Sequence, residues 1–167
     1  MYRLRMKAGS VFALAIAALL AVLPASAAEL NGWAYRAVRT TKALPVVTAA
    51  AERGDARAQA QLGFMYATGR SVAQNYALAS YWYRRAAEQG NAAAQHLLGL
   101  MYDKGFGVPP DYVLAHMWLN LAAARTKGDV HEDNIRLRDA VAGKMSLGQL
   151  ADAQYLAVNW IPKPERF

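Results

Sequence analysis

The stretch AQAQLGFMYATG (58–69) is followed 36 residues later by AQHLLGLMYDKG (94–105). The leucine, mid-stretch glycine, methionine, tyrosine and final glycine keep their places in both copies. Aligned without a gap, residues 51–86 and 87–122 are identical at 17 of 36 positions. A repeat of fixed length between about 20 and 50 residues is typical of solenoids, in which each repeat is one structural unit stacked on the next. We therefore predict full units at 51–86 and 87–122.

Each unit is predicted to contain two helices, A and B. In helix A of the first unit, Ala58, Leu62 and Met65 are spaced i, i+4 and i+7, which places them in one apolar stripe. Four side chains are suited to cap the N-termini of these helices: Asp55, Asn75, Asn91 and Asp111. The predicted fold class is therefore all-α, an α/α solenoid of about three stacked helix pairs.

Gly63 and Gly99 lie inside the two predicted helices A, at the same repeat position. Glycine in a helix interior costs about 1 kcal/mol relative to alanine. Its recurrence is best explained if helix B crosses there too closely to leave room for a Cβ.

The array extends beyond the two full units. Residues 43–54 match helix B of a preceding unit and put Val46 at the position of Trp82 and Trp118. Residues 129–160 are predicted to form a divergent third pair, whose second helix opens with a Ser146–Gln149 capping box. Seven helices are expected over an array spanning 44–160, followed by a tail at 161–167.

The first 27 residues have the pattern of a signal peptide. Three basic residues precede an uncharged apolar run of 13 residues (11–23) and a small-residue cleavage site at 25–28. A membrane-spanning helix needs about 20 apolar residues, so an uncleaved anchor is the less favoured alternative. We expect a periplasmic or secreted bacterial protein with no stable membrane insertion after cleavage. Residues 28–43 are predicted to be a flexible leader, with docking on an anionic envelope surface as the alternative.

Charge and cysteine content limit the classes of partner and fold. The chain carries 19 Lys and Arg against 12 Asp and Glu. Removing the signal peptide takes away three basic residues, which leaves 16 − 12 = +4. This small surplus favours solubility and does not indicate nucleic-acid binding. The chain has no cysteine, so its stability depends on packed apolar surface.

The sequence contains no pattern typical of a catalytic or metal site. No nucleophile elbow, zinc-protease motif or phosphate-binding loop occurs. The consecutive residues His131, Glu132 and Asp133 diverge by about 100° each on a helix and cannot converge on one metal; we interpret them as a charged first turn. We therefore predict no enzymatic activity, no cofactor and no metal ion.

The Leu-Gly, Met-Tyr and Trp positions together resemble the Sel1-like repeat, a relative of the tetratricopeptide repeat. The resemblance covers about residues 44–160. It implies a non-catalytic scaffold that holds a protein or peptide partner. In tetratricopeptide arrays the partner lies along the concave face formed by the helices A. Carried onto this sequence, that resemblance implies a partner-binding face that includes Arg57, Gln61, Phe64, His96, Leu97, Leu100 and Lys104.

Several alternatives to a partner-binding face stay open. None of the residues on this face recurs between the two units, so they are either a binding surface, with an exposed Phe64 beside Leu97 and Leu100, or padding between helices. A cell-envelope factor or hydrolase acting on glycan is the alternative function. The chain is expected to be a monomer or a weak oligomer, with end-to-end stacking as a third possibility.

Overall fold

The structure is a computed structural model that describes residues 43–165. The predicted signal peptide and almost all of the predicted leader lie outside these residues. The described part contains seven helices and no strand: α1 (Ala43–Glu52), α2 (Ala56–Thr68), α3 (Tyr76–Glu88), α4 (Ala92–Lys104), α5 (Tyr112–Ala124), α6 (Gly128–Ala142) and α7 (Leu147–Val158).

The helices follow the 36-residue period of the sequence. Helices α2, α4 and α6 begin at residues 56, 92 and 128, and α3 and α5 begin at residues 76 and 112. Each helix from α1 to α5 packs against the next one along the chain. The prediction of an all-α solenoid is therefore confirmed, with α2, α4 and α6 as helices A and α3, α5 and α7 as helices B.

Helix ends lie where the predicted capping residues place them. The Asp55 carboxylate accepts hydrogen bonds from the backbone N–H groups of Arg57 and Ala58, both at 2.8 Å. The other three predicted caps each accept one bond, from the N–H three residues ahead, at 3.0 Å: Asn75, Asn91 and Asp111. These bonds satisfy N–H groups that a helix start leaves without a partner.

The mid-helix glycines mark the closest approach of helices A and B. A Cβ added to Gly63 would lie 2.7 Å from the ring Cδ1 of Tyr83, and one added to Gly99 would lie 3.2 Å from the backbone oxygen of Ala115. The first distance is far inside van der Waals contact, and the second is shorter than an ordinary Cβ contact. The prediction that these glycines admit a close crossing is confirmed.

A side-chain hydrogen bond joins each helix A to the end of the preceding helix B. Gln59 donates from Nε2 to the Ala51 carbonyl, and Gln95 donates to the Ala87 carbonyl, both at 3.1 Å. At the third junction the equivalent residue is His131, whose Nδ1 lies 2.9 Å from the Ala123 oxygen.

The third junction corrects one interpretation made from sequence. The residues His131–Asp133 do not form the first turn of α6, because that helix begins at Gly128 and its first-turn acidic residue is Asp129. His131 instead takes the place of the repeated glutamine. The position is defined by its bond to a carbonyl eight residues earlier, which either an amide or an imidazole N–H can make.

Small and aromatic side chains fill the core between the helices. The main apolar cluster runs from α2 to α7 and includes Tyr83, Tyr102 and Trp118, whereas a second cluster joins α1 to α2. The predicted core position of Trp118 is confirmed, since only 6% of it is exposed. Val46 was expected to pack like Trp118 but is 70% exposed. It lies on the first helix of the described array, and the neighbouring Val47 is the buried residue there.

The last helix pair departs from the regular pattern. Helix α6 packs on α5 as expected for a third helix A, but α7 packs mainly against α5. The predicted capping box is present, with Ser146 and Gln149 each bonding the other's backbone N–H. No helix between residues 43 and 158 combines the length and apolar character needed to cross a membrane.

Candidate partner-binding surface

Helix α2 exposes little of the face that was predicted to bind a partner. Arg57 is exposed, but Phe64 is only 6% exposed and Gln61 only 8%. Phe64 belongs to the main apolar cluster together with Tyr83 and Leu98. The expectation of an exposed Phe64 is therefore wrong. Phe64 and Gln61 are both buried and pack between helices, which agrees with the alternative given in the sequence analysis.

Helix α4 presents the corresponding face to solvent. His96, Leu97 and Leu100 are partly exposed, and Lys104 is exposed. Leu97 also packs against the main cluster, so one side of it is anchored while the other is accessible. We call these four residues the α4 face. Since Leu100 takes the repeat position of the buried Phe64, the two units share a backbone but differ in what they expose.

An acidic residue modifies the charge at the end of the α4 face. The Lys104 ammonium lies 2.8 Å from an oxygen of Asp103, and Lys144, from the turn after α6, pairs with the other oxygen. Burial alone would raise the pKa of Asp103, but hydrogen bonds from the two lysines outweigh it and the pKa is lowered. One carboxylate thus links α4 to the end of α6 and leaves one net positive charge in this trio.

His96 is tied to α6 by a polar link that sequence reasoning missed. Its Nδ1 lies 2.7 Å from Oδ1 of Asn134, whose Nδ2 donates to Thr126 at 3.2 Å. Asn134 is fully buried at the repeat position of Leu62 and Leu98. Burial lowers the pKa of His96, so its imidazole is neutral at pH 7. The signal available in the sequence was a polar residue at an otherwise invariant leucine position.

The described residues hold no group of three or more His, Cys, Asp or Glu side chains placed to bind a metal ion. The α4 face instead offers partly exposed apolar side chains next to a neutral imidazole, with Lys104 and Lys144 at its end. Such a patch can bury an apolar side chain of a partner and pair with an acidic one.

Comparison with known proteins identifies the repeat. The model of the Sel1 repeat matches residues 56–91 and 92–126, which contain one helix pair each. A Sel1 repeat protein from Oxalobacter formigenes is 45% identical to the chain, with 58% of this chain and 71% of that one aligned at a TM-score of 0.53. The chain belongs to the Sel1 repeat family. Sel1 repeats are commonly scaffolds for protein–protein interaction.

A second solved Sel1-type structure is much longer. It is a protective antigen present in uropathogenic Escherichia coli strains, described as displaying an SLR fold. It is 35% identical to this Sel1 repeat chain, covers 74% of it and gives a TM-score of 0.67. The chain spans 26% of that antigen. No curated protein is significantly similar to the chain.

Proposed function

We propose that this Sel1 repeat protein is a non-catalytic adaptor that binds a segment of another protein on the α4 face. The observation that carries the proposal is the difference between equivalent helices. Position 64 of the first unit is buried, whereas Leu100, at the same place in the second, is partly exposed beside Leu97. Stacking of the repeats does not require the two units to differ at these positions. The exposed leucines of the second unit are therefore suited to contact a partner.

The charges around the α4 face indicate which segments fit best. Arg57 and Lys104 are exposed on consecutive helices A, and Lys104 shares its acidic neighbour with Lys144. A partner segment with two or three apolar side chains and at least one flanking carboxylate would bury the former and pair with the latter. Gln61 and Phe64, buried in α2, are left out of this proposed surface.

The adaptor is further proposed to act outside the cytoplasm. This part rests on the basic, apolar and small-residue pattern of residues 1–28. Mass spectrometry of the protein recovered from its native cells tests it. A mature chain beginning at residue 28 or 29 in the periplasmic or culture fraction is expected, and a full-length chain that stays in the cytosol would contradict export.

Site-specific photo-crosslinking in native cells tests the α4 face. A photoreactive amino acid at position 100 is compared with the same amino acid at position 147, since Leu147 is highly exposed on α7. A protein adduct specific to position 100 is expected, and Lys104→Glu combined with Arg57→Glu, both at exposed positions, should abolish it without changing the helical circular dichroism spectrum. The proposal fails if the adducts at the two positions are the same, or if that double variant retains the adduct.

A further inference from the structure

The chain's C-terminal segment folds back onto the first full repeat. After α7 ends at Val158, residues 160–165, here called the tail, run along the ends of α3 and α2. The backbone N–H of Lys163 donates to the carbonyl of Glu88, the last residue of α3, at 2.8 Å. Glu165 reaches Gln59 on α2, 106 residues earlier in the chain. The tail therefore contacts a surface that belongs to a different unit from the helix that carries it.

The carboxylate of Glu165 is held by three donors. Arg85 donates from Nε to Oε1 at 2.8 Å and from Nη2 to Oε2, and Gln59 donates from Nε2 to Oε2 at 3.0 Å. The Arg85 guanidinium also lies 4.9 Å from the centre of the Trp82 ring, which supports it from the other side. Two parallel bonds from one guanidinium are the strongest and most selective way in which a protein recognises a carboxylate.

The array itself holds these donors in place. Gln59 also donates to the Ala51 carbonyl, and its own Oε1 accepts from Gln89 at 2.8 Å. Gln89 donates a second bond to the Gly54 carbonyl at 2.9 Å. Oε1 of Gln89 accepts the Glu165 backbone N–H at 3.4 Å. We call Arg85, Gln59 and Gln89 the clamp. Helix-end carbonyls orient the two glutamines, and the Trp82 ring supports Arg85 from one side, so these contacts place the donors for a carboxylate independently of the tail.

An aromatic anchor lies at the other end of the tail. The Trp160 ring meets Trp118 edge to face with the centroids 6.3 Å apart, and the Arg125 guanidinium lies 4.5 Å from the Trp160 centroid. A Cβ on Gly90 would be 3.7 Å from the Trp160 ring, so the indole also touches the turn between α3 and α4. An aromatic pocket, one backbone bond and a carboxylate clamp together resemble the parts of an extended-peptide site.

Two of the clamp residues, Arg85 and Gln89, are specific to the first unit, whereas Gln59 recurs as Gln95. Arg85 corresponds to Leu121 one repeat later, and Gln89 corresponds to Arg125. Stacking of the repeats does not require either side chain, since the second unit folds without them. The combination of a guanidinium and an amide at the end of α3 is therefore an addition to the repeat and not a part of its framework.

We propose that this surface is a second peptide-binding site, separate from the α4 face, whose ligand is an extended segment of another protein. The segment carries an aromatic side chain and, five residues later, a glutamate. The chain's own tail occupies the site in cis and must be displaced before the partner binds. A tail tethered next to its site competes at an effective concentration of about millimolar, so the free site is selective for partners that match both anchors.

Binding of a labelled peptide with the sequence of residues 160–165 tests the site. Fluorescence anisotropy is measured with the full chain and with the full chain carrying Trp160→Ala and Glu165→Ala, which empties the site. The emptied variant is expected to bind the peptide at least about tenfold more tightly than the unaltered chain does, since the tail no longer competes. Adding Arg85→Ala should abolish that binding, whereas adding Arg84→Ala, at the adjacent exposed arginine, should preserve it.

The proposal is overturned if the emptied variant binds no better than the unaltered chain, or if Arg85→Ala leaves binding intact. Should the double variant fail to fold, Glu165→Ala alone is measured in the same way, and binding that does not depend on Arg85 has the same meaning. Leu100→Asp should leave peptide binding unchanged, which separates this site from the α4 face. If the unaltered chain sediments as a dimer that the peptide dissociates, a second copy of the chain replaces the foreign partner as the ligand.

Discussion

Gly99 lies so close to Leu119 that a Cβ added to it would be 2.8 Å from the leucine Cγ. The equivalent pair in the first unit is Gly63 and Tyr83, at the same crossing of helix A with helix B. Both partners are buried, and one is aliphatic while the other is aromatic. Both units therefore have glycine at this position of helix A, whereas the side chain of helix B that packs against it differs.

Alanine at this crossing is expected to destabilise the protein. An exposed Gly→Ala change inside a helix normally stabilises by up to about 1 kcal/mol, but overpacking a closed core costs about 1–3 kcal/mol. Gly99→Ala should therefore lower the free energy of unfolding by about 1–2 kcal/mol in urea denaturation. Gly148→Ala is the control, since its Cβ would have no heavy atom nearer than the Ser146 hydroxyl at 3.9 Å. Equal effects of the two substitutions would contradict the crossing interpretation.

Trp82 and Trp118 share one repeat position but differ in burial, and this predicts different costs of truncation. Trp118 is buried in the main cluster, whereas Trp82 is partly exposed beside the smaller one. Trp118→Ala should cost about 3–5 kcal/mol, which is enough to unfold much of a domain of ordinary stability. Trp82→Ala should cost clearly less. The check is the urea midpoint of each variant, and a Trp118→Ala protein with an unchanged midpoint would remove this residue from the core.

The junction bond made by Gln95 can be tested with the residue that replaces it in the next unit. Gln95→Leu removes the side-chain bond to the Ala87 carbonyl, which keeps its bond from the Gly90 N–H at 2.9 Å, so the loss should be that of one hydrogen bond, about 0.5–1.5 kcal/mol. Gln95→His is expected to recover more than half of that loss, because His131 makes the same bond at the third junction. Thermal unfolding of the two variants against the original chain measures both effects. A histidine variant as unstable as the leucine variant would show that the two junctions are not equivalent.

Two histidines predict that stability decreases in mild acid. Burial lowers the pKa of both His96 and His116, with Asp133 near the first and with Arg138 and Asp139 near the second. The unfolded chain therefore takes up protons first, at about pH 6.5, and the folded state loses stability as the pH falls below that value. The urea midpoint should thus be lower at pH 5 than at pH 7.5.

Substitution of both histidines gives the matched control for this pH effect. His96→Asn keeps an N–H donor close to the place of the Nδ1 that bonds Asn134, and His116→Gln removes a ring whose Nδ1 has no hydrogen-bond partner among the described residues. The double variant should lose less stability between pH 7.5 and pH 5 than the original chain. An identical loss in both proteins would assign the acid sensitivity to other groups.

The fold could be predicted well because the residues that stack the helix pairs recur at a fixed interval in the sequence. Helix number, caps and the glycine crossings all depend on local residues that recur every 36 positions, and each was confirmed. The resemblance to the Sel1 repeat came from the same residues. The third pair was harder to place, since α7 packs mainly on α5 and no longer follows the repeat.

The candidate surface was predicted less well for a physical reason. A position that differs between repeats can be a binding surface or a filled gap, and the sequence does not distinguish a buried Phe64 from an exposed Leu100. Long-range contacts were also missed. The Arg85–Glu165 ion pair joins residues 80 positions apart, and no periodicity connects them.

The bond that each helix A makes to a carbonyl eight residues earlier also has a consequence for growth of the array. It joins each helix A to the end of the preceding helix B in the same way, and it occurs at all three junctions between residues 51 and 131. Insertion of a duplicated 36-residue segment at such a junction would thus lengthen the solenoid and repeat the same junction contact. Lengthening by in-frame duplication is therefore a route open to this architecture that leaves the two terminal helices intact.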